Sequence, residues 1–534
     1  MRWTFDPEFA ATLHAAFSPH SADLSRLPGY RSIKENNARS VYRFGDPGAA
    51  FVVKRFKRAQ GAARWKEHLL GTAAAGEWQR LQWLQERGVP VPRAAAMWEA
   101  PSGESGLVTV EIPGARPWKE LLLEPDASRH AGAGIRAAAN AVYQAHESGF
   151  LHADLHVGNL LVGADGVFRL IDVHRGSVAT RLSLRDRLAN LALLGYSLTT
   201  VLPRTAWRRL LREYLARFAS GHRVADPRRS ARFVAARIDR LRTDHHRRRT
   251  RRCLREGSAF HVEERAGWRL CIVRGIDPDA VLRVIGEHDS RPPADRPAPP
   301  PAGVVKETAR IKLTRESLAT PDGERAVLVK AFRVAGLRLR LKRALGSDPG
   351  KRAWVAAHGM RVRGLPTPEA LAFVEPLSAA GARSSYLVVV ARPTALPLDR
   401  YVETRFGSSA GRGRAGRDDF LRRLADQVRR LHLAGVHHHD LKANNVLVRE
   451  PEGGCEFELV DLDRVSFASA MPAEARMVNL AQLNAATPGA LTRSDRLRWL
   501  RWYAVGRAAF PDRRAAVTAI MQRTVARRHV WPPR

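Results

Sequence analysis

Cysteine is scarce in this chain. Its three residues, Cys253, Cys271 and Cys455, are too few and too scattered for a disulfide framework or a four-ligand zinc site, so a reducing cytoplasm is the expected setting. Long apolar runs are also missing. The first twenty residues lack the apolar core of a signal peptide, and the longest apolar stretch, 188–202, falls short of the roughly 20 residues a membrane span needs. Any contact with a membrane is therefore expected to be peripheral and electrostatic. Acidic residues are outnumbered, 53 against 89 Lys and Arg, which leaves a formal charge of +36 and an attraction to anionic partners. The basic clusters at 247–255, 338–343 and 523–534 carry no nucleic-acid motif, so nucleic acid is an unlikely partner. They form either a dedicated surface or ordinary solvated faces.

What is present is enough to fold. Hydrophobic residues make up 45% of the 534, and the length calls for more than one domain. The clearest break in composition is 289–303, crowded with Pro292, Pro293, Pro297, Pro299, Pro300 and Pro301, a stretch that suits neither helix nor central strand. It divides the chain into a first domain at 1–240, a connecting segment at 241–303 ending in the proline-rich linker, and a second domain at 304–534.

The two halves repeat each other. Lys34-Glu35 matches Lys306-Glu307; Val53-Lys54 and Trp78 match Val329-Lys330 and Trp354 at a shift of 276; Asp154-Leu155 matches Asp440-Leu441 at 286; Asp172 and Asn190-Leu191-Ala192 match Asp461 and Asn479-Leu480-Ala481 at 289. A shift that is constant within blocks and changes between them is what loop insertions do to two copies of one fold. In each copy a short β-rich run, 50–53 or 326–329, ends in a lysine, Lys54 or Lys330. A helical pattern follows, at 76–87 or 353–363, and stops at Gly88 or Gly364 and the prolines beyond.

The chemistry lies further on. His152-Ala153-Asp154-Leu155-His156-Val157-Gly158-Asn159 has H-x-D-L-x-x-x-N spacing, followed by a turn at Asp165-Gly166 and a run ending in Asp172; His438-His439-Asp440-Leu441-Lys442-Ala443-Asn444-Asn445 and Asp461 repeat the layout. Phosphoryl transfer needs these parts: a lysine on the phosphates, hard oxygen ligands for magnesium, and a carboxylate beside the incoming hydroxyl. In the first copy Lys54 is the candidate ATP-phosphate ligand, oriented by Glu77, Asp154 the base, and Asn159 with Asp172 the Mg2+ ligands. In the second, Lys330, Asp440, Asn445 and Asp461 take those places. Lys442 offers a point charge to the γ-phosphate where the first copy has His156. The second copy has Ala353 at the position of Glu77, so Lys330 is oriented by another carboxylate or the copy is weak or non-catalytic. Neither copy has G-x-G-x-x-G ahead of its lysine; the segments at Lys34-Glu35-Asn36 and Lys306-Glu307-Thr308 stand roughly there. The run His437-His438-His439 has no further ligand cluster, and His438 belongs to the loop motif.

These residues resemble the bacterial lipopolysaccharide core kinases, the heptose and Kdo kinases. The resemblance is carried by the Gly-x-Pro-x-Pro step after the first helix, by H-x-D-L-x-x-x-N, and by Val460-Asp461-Leu462-Asp463-Arg464 with its counterpart Ile171-Asp172-Val173-His174-Arg175. It implies an α+β fold of two tandem bilobal protein-kinase-like domains, each with a β-rich N-lobe and a helical C-lobe. It also implies an ATP-dependent kinase whose acceptor is a sugar hydroxyl of the lipopolysaccharide inner core, an anionic glycolipid met at the inner face of the inner membrane. A protein kinase or antibiotic-type phosphotransferase is the alternative enzyme, though Asn190 follows Asp172 too closely for an ordinary activation segment. A pseudokinase scaffold binding an anionic partner is the alternative from another class.

Overall fold

The computed structural model describes residues 1–17, 27–35, 39–46, 49–58, 71–203, 205–218, 226–292, 303–333, 348–377, 384–407, 413–506 and 510–527. The basic cluster at 338–343, residues 528–534 of the last cluster, most of the proline-rich linker and Asn36 lie outside the described residues. The chain divides into two units, Met1–Arg242 and Thr243–Arg534, and the division falls inside the helix Pro227–Thr250. Each unit is bilobal, an antiparallel sheet followed by a helical lobe, so the fold is α+β and tandem. Among the described residues no helix is long and apolar enough to cross a membrane. The apolar stretch at 188–202 forms most of the helix Leu184–Leu198, whose Leu188, Leu191, Leu194 and Leu198 are buried in the first unit's core.

In the first unit six strands run in the order Arg2–Phe5, Ala94–Glu99, Ser105–Val110, Phe51–Phe56, Arg39–Phe44, Arg31–Glu35. The lysine strand sits inside this sheet, and its alternation decides where the lysine points. Phe51 and Val53 face one core together with Leu13 and Phe17 of the helix Ala10–Phe17. Phe56 faces the other core, with Trp78, Leu81 and Leu84 of the helix Ala73–Glu86, and Lys54 shares its parity. The strand therefore does not end at Lys54 but continues to Phe56, because that ring is a core residue. The second unit does the same: Gly323–Phe332 puts Val327, Val329 and Ala331 on one side and Phe332 on the other, so the strand runs past Lys330.

The segment expected to connect the two copies is instead part of the second one. Phe260–Arg265 and Trp268–Val273 form a hairpin, and Trp268–Val273 pairs with Ala370–Pro376 as Arg2–Phe5 pairs with Ala94–Glu99. The helix Pro278–Ser290 then covers the sheet's outer face with Val281, Val284 and Ile285, the service Ala10–Phe17 performs in the first unit. Ala266 and Gly267 both have positive φ, 50° and 80°, the two-residue turn that matches the twist of paired strands.

The short strands that precede the two H-x-D-L loops are each entered through a glycine that admits no side chain. Gly149 and Gly435 have φ of 87° and 71°, and a Cβ would meet the carbonyl oxygen of Ala179 at 2.1 Å or of Ala468 at 2.0 Å. Gly435→Ala is expected to destabilise the protein by about 2 kcal/mol or more, combining left-handed strain with displacement of a backbone acceptor. Urea unfolding measures it, and an unchanged midpoint would contradict the packing just described.

Candidate functional site

In the first unit three distant segments meet at one ammonium group. Thr72 caps the helix Ala73–Glu86, its hydroxyl accepting from the Ala75 amide at 3.2 Å, and the first turns of that helix bring Glu77 under the sheet. Lys54 Nζ donates to Glu77 Oε1 and Oε2 at 2.9 and 2.8 Å and to Asp172 Oδ1. The lysine side chain is only 13% exposed, so its charge depends on these partners. Arg39, at the start of the neighbouring strand, forks onto the same aspartate at 3.1 and 3.0 Å. Burial opposes the charge of Asp172, but Lys54 and Arg39 outweigh it and hold the carboxyl well below its ordinary range. Burial pushes the Glu77 carboxyl up, against the pull of Lys54. Burial and then Lys54 push His174 down to about 4, so its ring is neutral beside them.

The loop that carries Asp154 is held by its backbone. His152 Nε2 donates to the Ile171 carbonyl at 2.8 Å, leaving Nδ1 to accept from the Asp154 amide at 3.1 Å. Asn159 donates from Nδ2 to the Asp154 carbonyl at 2.9 Å, and its own carbonyl accepts from Ile171 at 3.1 Å, which draws Asp172 beside it. Asp172 itself has φ of 62°, a left-handed turn into Val173–Arg175. The Asp154 side chain is left 75% exposed, with His156 Nε2 at 3.7 Å. Carboxylate and amide oxygens are the hard donors Mg2+ takes, and an aspartate kept ionised fits that ion.

The second unit repeats the loop: His438 to Val460 at 3.0 Å, Asp440 amide to His438 Nδ1 at 3.3 Å, Asn445 to the Asp440 carbonyl at 2.9 Å. Lys330 Nζ donates to Asp461, and Ala353 is buried where Glu77 stands in the first unit. Lys442 does not project freely but bonds Asp440 at 3.2 Å, and Asp440 is only 20% exposed. Burial, and after it the charge of Asp461, push Asp463 up to about 6. The rings of His437 and His439 lie 3.9 Å apart between centres, tilted by 38°, while His438 points the other way into the loop.

Sequence reasoning brings together Lys54, Glu77, Asn159 and Asp172 but misses Arg39, whose counterpart by strand register is Ile311, so the repeat gives no hint of it. It also misses a polar brace beneath each loop. Asn190 donates to the His152 carbonyl at 2.7 Å, which leaves its oxygen to accept from His146 Nε2 at 3.1 Å; His146 Nδ1 then accepts from the Tyr214 hydroxyl at 2.7 Å, and Arg187 donates to that hydroxyl. Asn479, His432, Tyr503 and Arg476 repeat it, with Asn479 to His438 at 2.7 Å and His432 to Tyr503 at 2.7 Å. The matching signal was present in the sequence as identical residues at shifts of 286 and 289.

Comparison with known proteins shows the family. The model of the lipopolysaccharide kinase (Kdo/WaaP) family matches residues 30–214 and 337–503, together more than half of the chain. A solved structure described as WaaP in complex with acyl carrier protein is 25% identical, over 45% of this chain and 98% of that one, with a TM-score of 0.34. A search of curated proteins gave no match.

The braces make stability sensitive to acid. Burial pushes His146 down to about 4 and His432 to about 3. Between the ordinary histidine value and those values the unfolded chain takes up protons that the folded chain refuses. Their contribution is therefore complete above about pH 6.5 and declines as pH falls towards 4, by about 2 kcal/mol per histidine at pH 5. Urea midpoints at pH 7 and pH 5 should differ less in His146→Gln and His432→Gln than in the wild type; equal differences would refute the neutral, buried assignment.

Proposed function

The chain belongs to the lipopolysaccharide kinase (Kdo/WaaP) family, an ATP-dependent phosphotransferase family, and from that premise we propose that its first unit phosphorylates a sugar hydroxyl of the lipopolysaccharide inner core. The observation that supports this most directly is the buried Lys54 bonded at once to Glu77 and Asp172, beside a loop that leaves Asp154 open to solvent. Lys54, oriented by Glu77, holds the ATP phosphates, with Arg39 adding a second cation at the same end. Asp154 takes the proton of the acceptor hydroxyl as its oxygen bonds the γ-phosphorus and the bond to the β–γ bridging oxygen breaks, releasing ADP. Asp172 and Asn159 would hold Mg2+, which supplies charge neutralisation on the phosphate oxygens. His152 and the Asn190 brace keep the loop backbone fixed, so that little reorganisation accompanies transfer.

In the second unit Asp440 is shielded and held by Lys442, which favours the first unit as the principal site of transfer. A phosphorylated, membrane-anchored acceptor also suits the positive charge. Arg247, Arg248, Arg249, Arg251 and Arg252 are exposed along the end of one helix and the turn after it. That placement supports a peripheral, salt-sensitive contact with the inner face of the inner membrane.

The test is transfer of labelled γ-phosphate from Mg-ATP to purified inner-core lipopolysaccharide. Asp154→Ala is expected to lower the rate by about 100-fold or more, the usual size of a lost general base, and Asp440→Ala by much less. Equal losses would overturn the assignment to the first unit. Absence of transfer by the wild type, with transfer to a protein or an aminoglycoside instead, would replace the acceptor.

A further inference from the structure

The two lysines share one acid, Asp172 or Asp461, and differ in the second acid nearby. In the first unit the turn Val173–Arg175 packs against the helix that carries Glu77, and His174 Nδ1 lies 3.8 Å from Glu77 Oε2. Ligand atoms of Glu77, Asp172 and His174 all fall within 4.8 Å of one another. The tip of side chain 174 thus stands in the same small volume as the two acids on Lys54. In the second unit the corresponding turn, Leu462–Arg464, packs against the helix Pro349–Val362, and Arg352 Nε fastens it by donating to the Asp463 carbonyl at 3.0 Å. The two positions have exchanged character. Where the first unit has Glu on the helix and His on the turn, the second has Ala353 on the helix and Asp463 on the turn. Asp463 lies beside Asp461, the acid that holds Lys330, and within the field of Lys330 itself.

The exchange conserves charge. Lys330 is 17% exposed and stands 4.9 Å over the Phe332 ring, so it is as poorly hydrated as Lys54 and has the same need for acidic neighbours. Acids at both helix and turn would repel each other across this gap, and acids at neither would leave one carboxylate to hold the ammonium. Each unit has one acid across the pair. We infer that Asp463 is a positioning residue that stands in for Glu77 in the second unit, setting a second acid from the turn beside Asp461 and its lysine, and that the second unit thereby keeps a working site for the phosphates of ATP. This rests on the assignment of Lys54 and Lys330 to phosphate binding. It makes the missing helix glutamate a relocation rather than a loss.

The experiment uses the full chain carrying Lys54→Met, so that binding of Mg2+ and a non-hydrolysable ATP analogue, followed by calorimetry, reports on the second unit. Asp463→Ala is expected to weaken binding about tenfold or more, the value of one charge-assisted hydrogen bond. Adding Ala353→Glu to Asp463→Ala should restore most of it, whereas Asp463→Asn should not. The reciprocal pair in a Lys330→Met chain gives an independent reading should the first set fold poorly: Glu77→Ala weakens binding and added His174→Asp restores it. Rescue from the opposite element is a result that a purely structural side chain would not give. If Asp463→Ala binds like its parent while Lys330→Met in the same chain abolishes binding, the relocation is wrong and phosphate binding by the lysine stands. If Lys330→Met also binds like its parent, both fall.

Discussion

A lysine ammonium removed from water in the middle of a sheet is the constraint on which the rest of each unit depends. Lys54 points where strand alternation sends it, into the side of the sheet that packs against helices, and the charge there must be met by acids. That requirement fixes the depth of the helix Ala73–Glu86, because Glu77 has to reach Nζ, and the position of the left-handed turn at Asp172. Sheet, helix and the turn at Asp172 are thereby cross-tied by a single group. The tie is electrostatic and poorly screened, so removing one acid leaves an uncompensated charge rather than a mere gap. Arg39 adds a second strand to the same knot.

The second structural theme is neutrality. The loops that carry Asp154 and Asp440 rest on histidines whose burial keeps them uncharged and whose tautomers are set by their neighbours, Asn190 and Tyr214 in one unit, Asn479 and Tyr503 in the other. Each loop thus stands between a charged cluster above and, below, a chain of hydrogen bonds through a neutral histidine. Such a network fixes geometry because its polar groups are buried and satisfied by one another.

Much of this was legible in the sequence. The repeat, the lysine strands, Glu77 and the H-x-D-L-x-x-x-N loops are local patterns, and the order in which they recur carries the tandem α+β fold. What escaped was of two kinds. Arg39 meets Asp172 across 133 residues and has Ile311 as its partner in the repeat, so neither proximity nor repetition announces it. The hairpin and helix at 260–290 were legible in principle, from the apolar, β-rich Trp268-Arg269-Leu270-Cys271-Ile272-Val273 run and the Ala266-Gly267 turn. The proline-rich stretch simply draws the eye to a boundary that lies too late. Lys442 illustrates a third case: its residue type suits a phosphate contact, but its geometry, bonded to Asp440, follows from the fold and not from spacing.

The placement of that hairpin bears on how the chain can be divided. A protease or an expression vector that severed it at the prolines would strip the second sheet of two strands and of the helix Pro278–Ser290. Ala370–Pro376 would then present a bare edge, and the outer face with Val327, Val329 and Leu371 would lie open to water, a combination that invites aggregation. A fragment meant to stand alone has to start upstream of the hairpin, near Thr243, in the middle of what looks on paper like an uninterrupted basic helix.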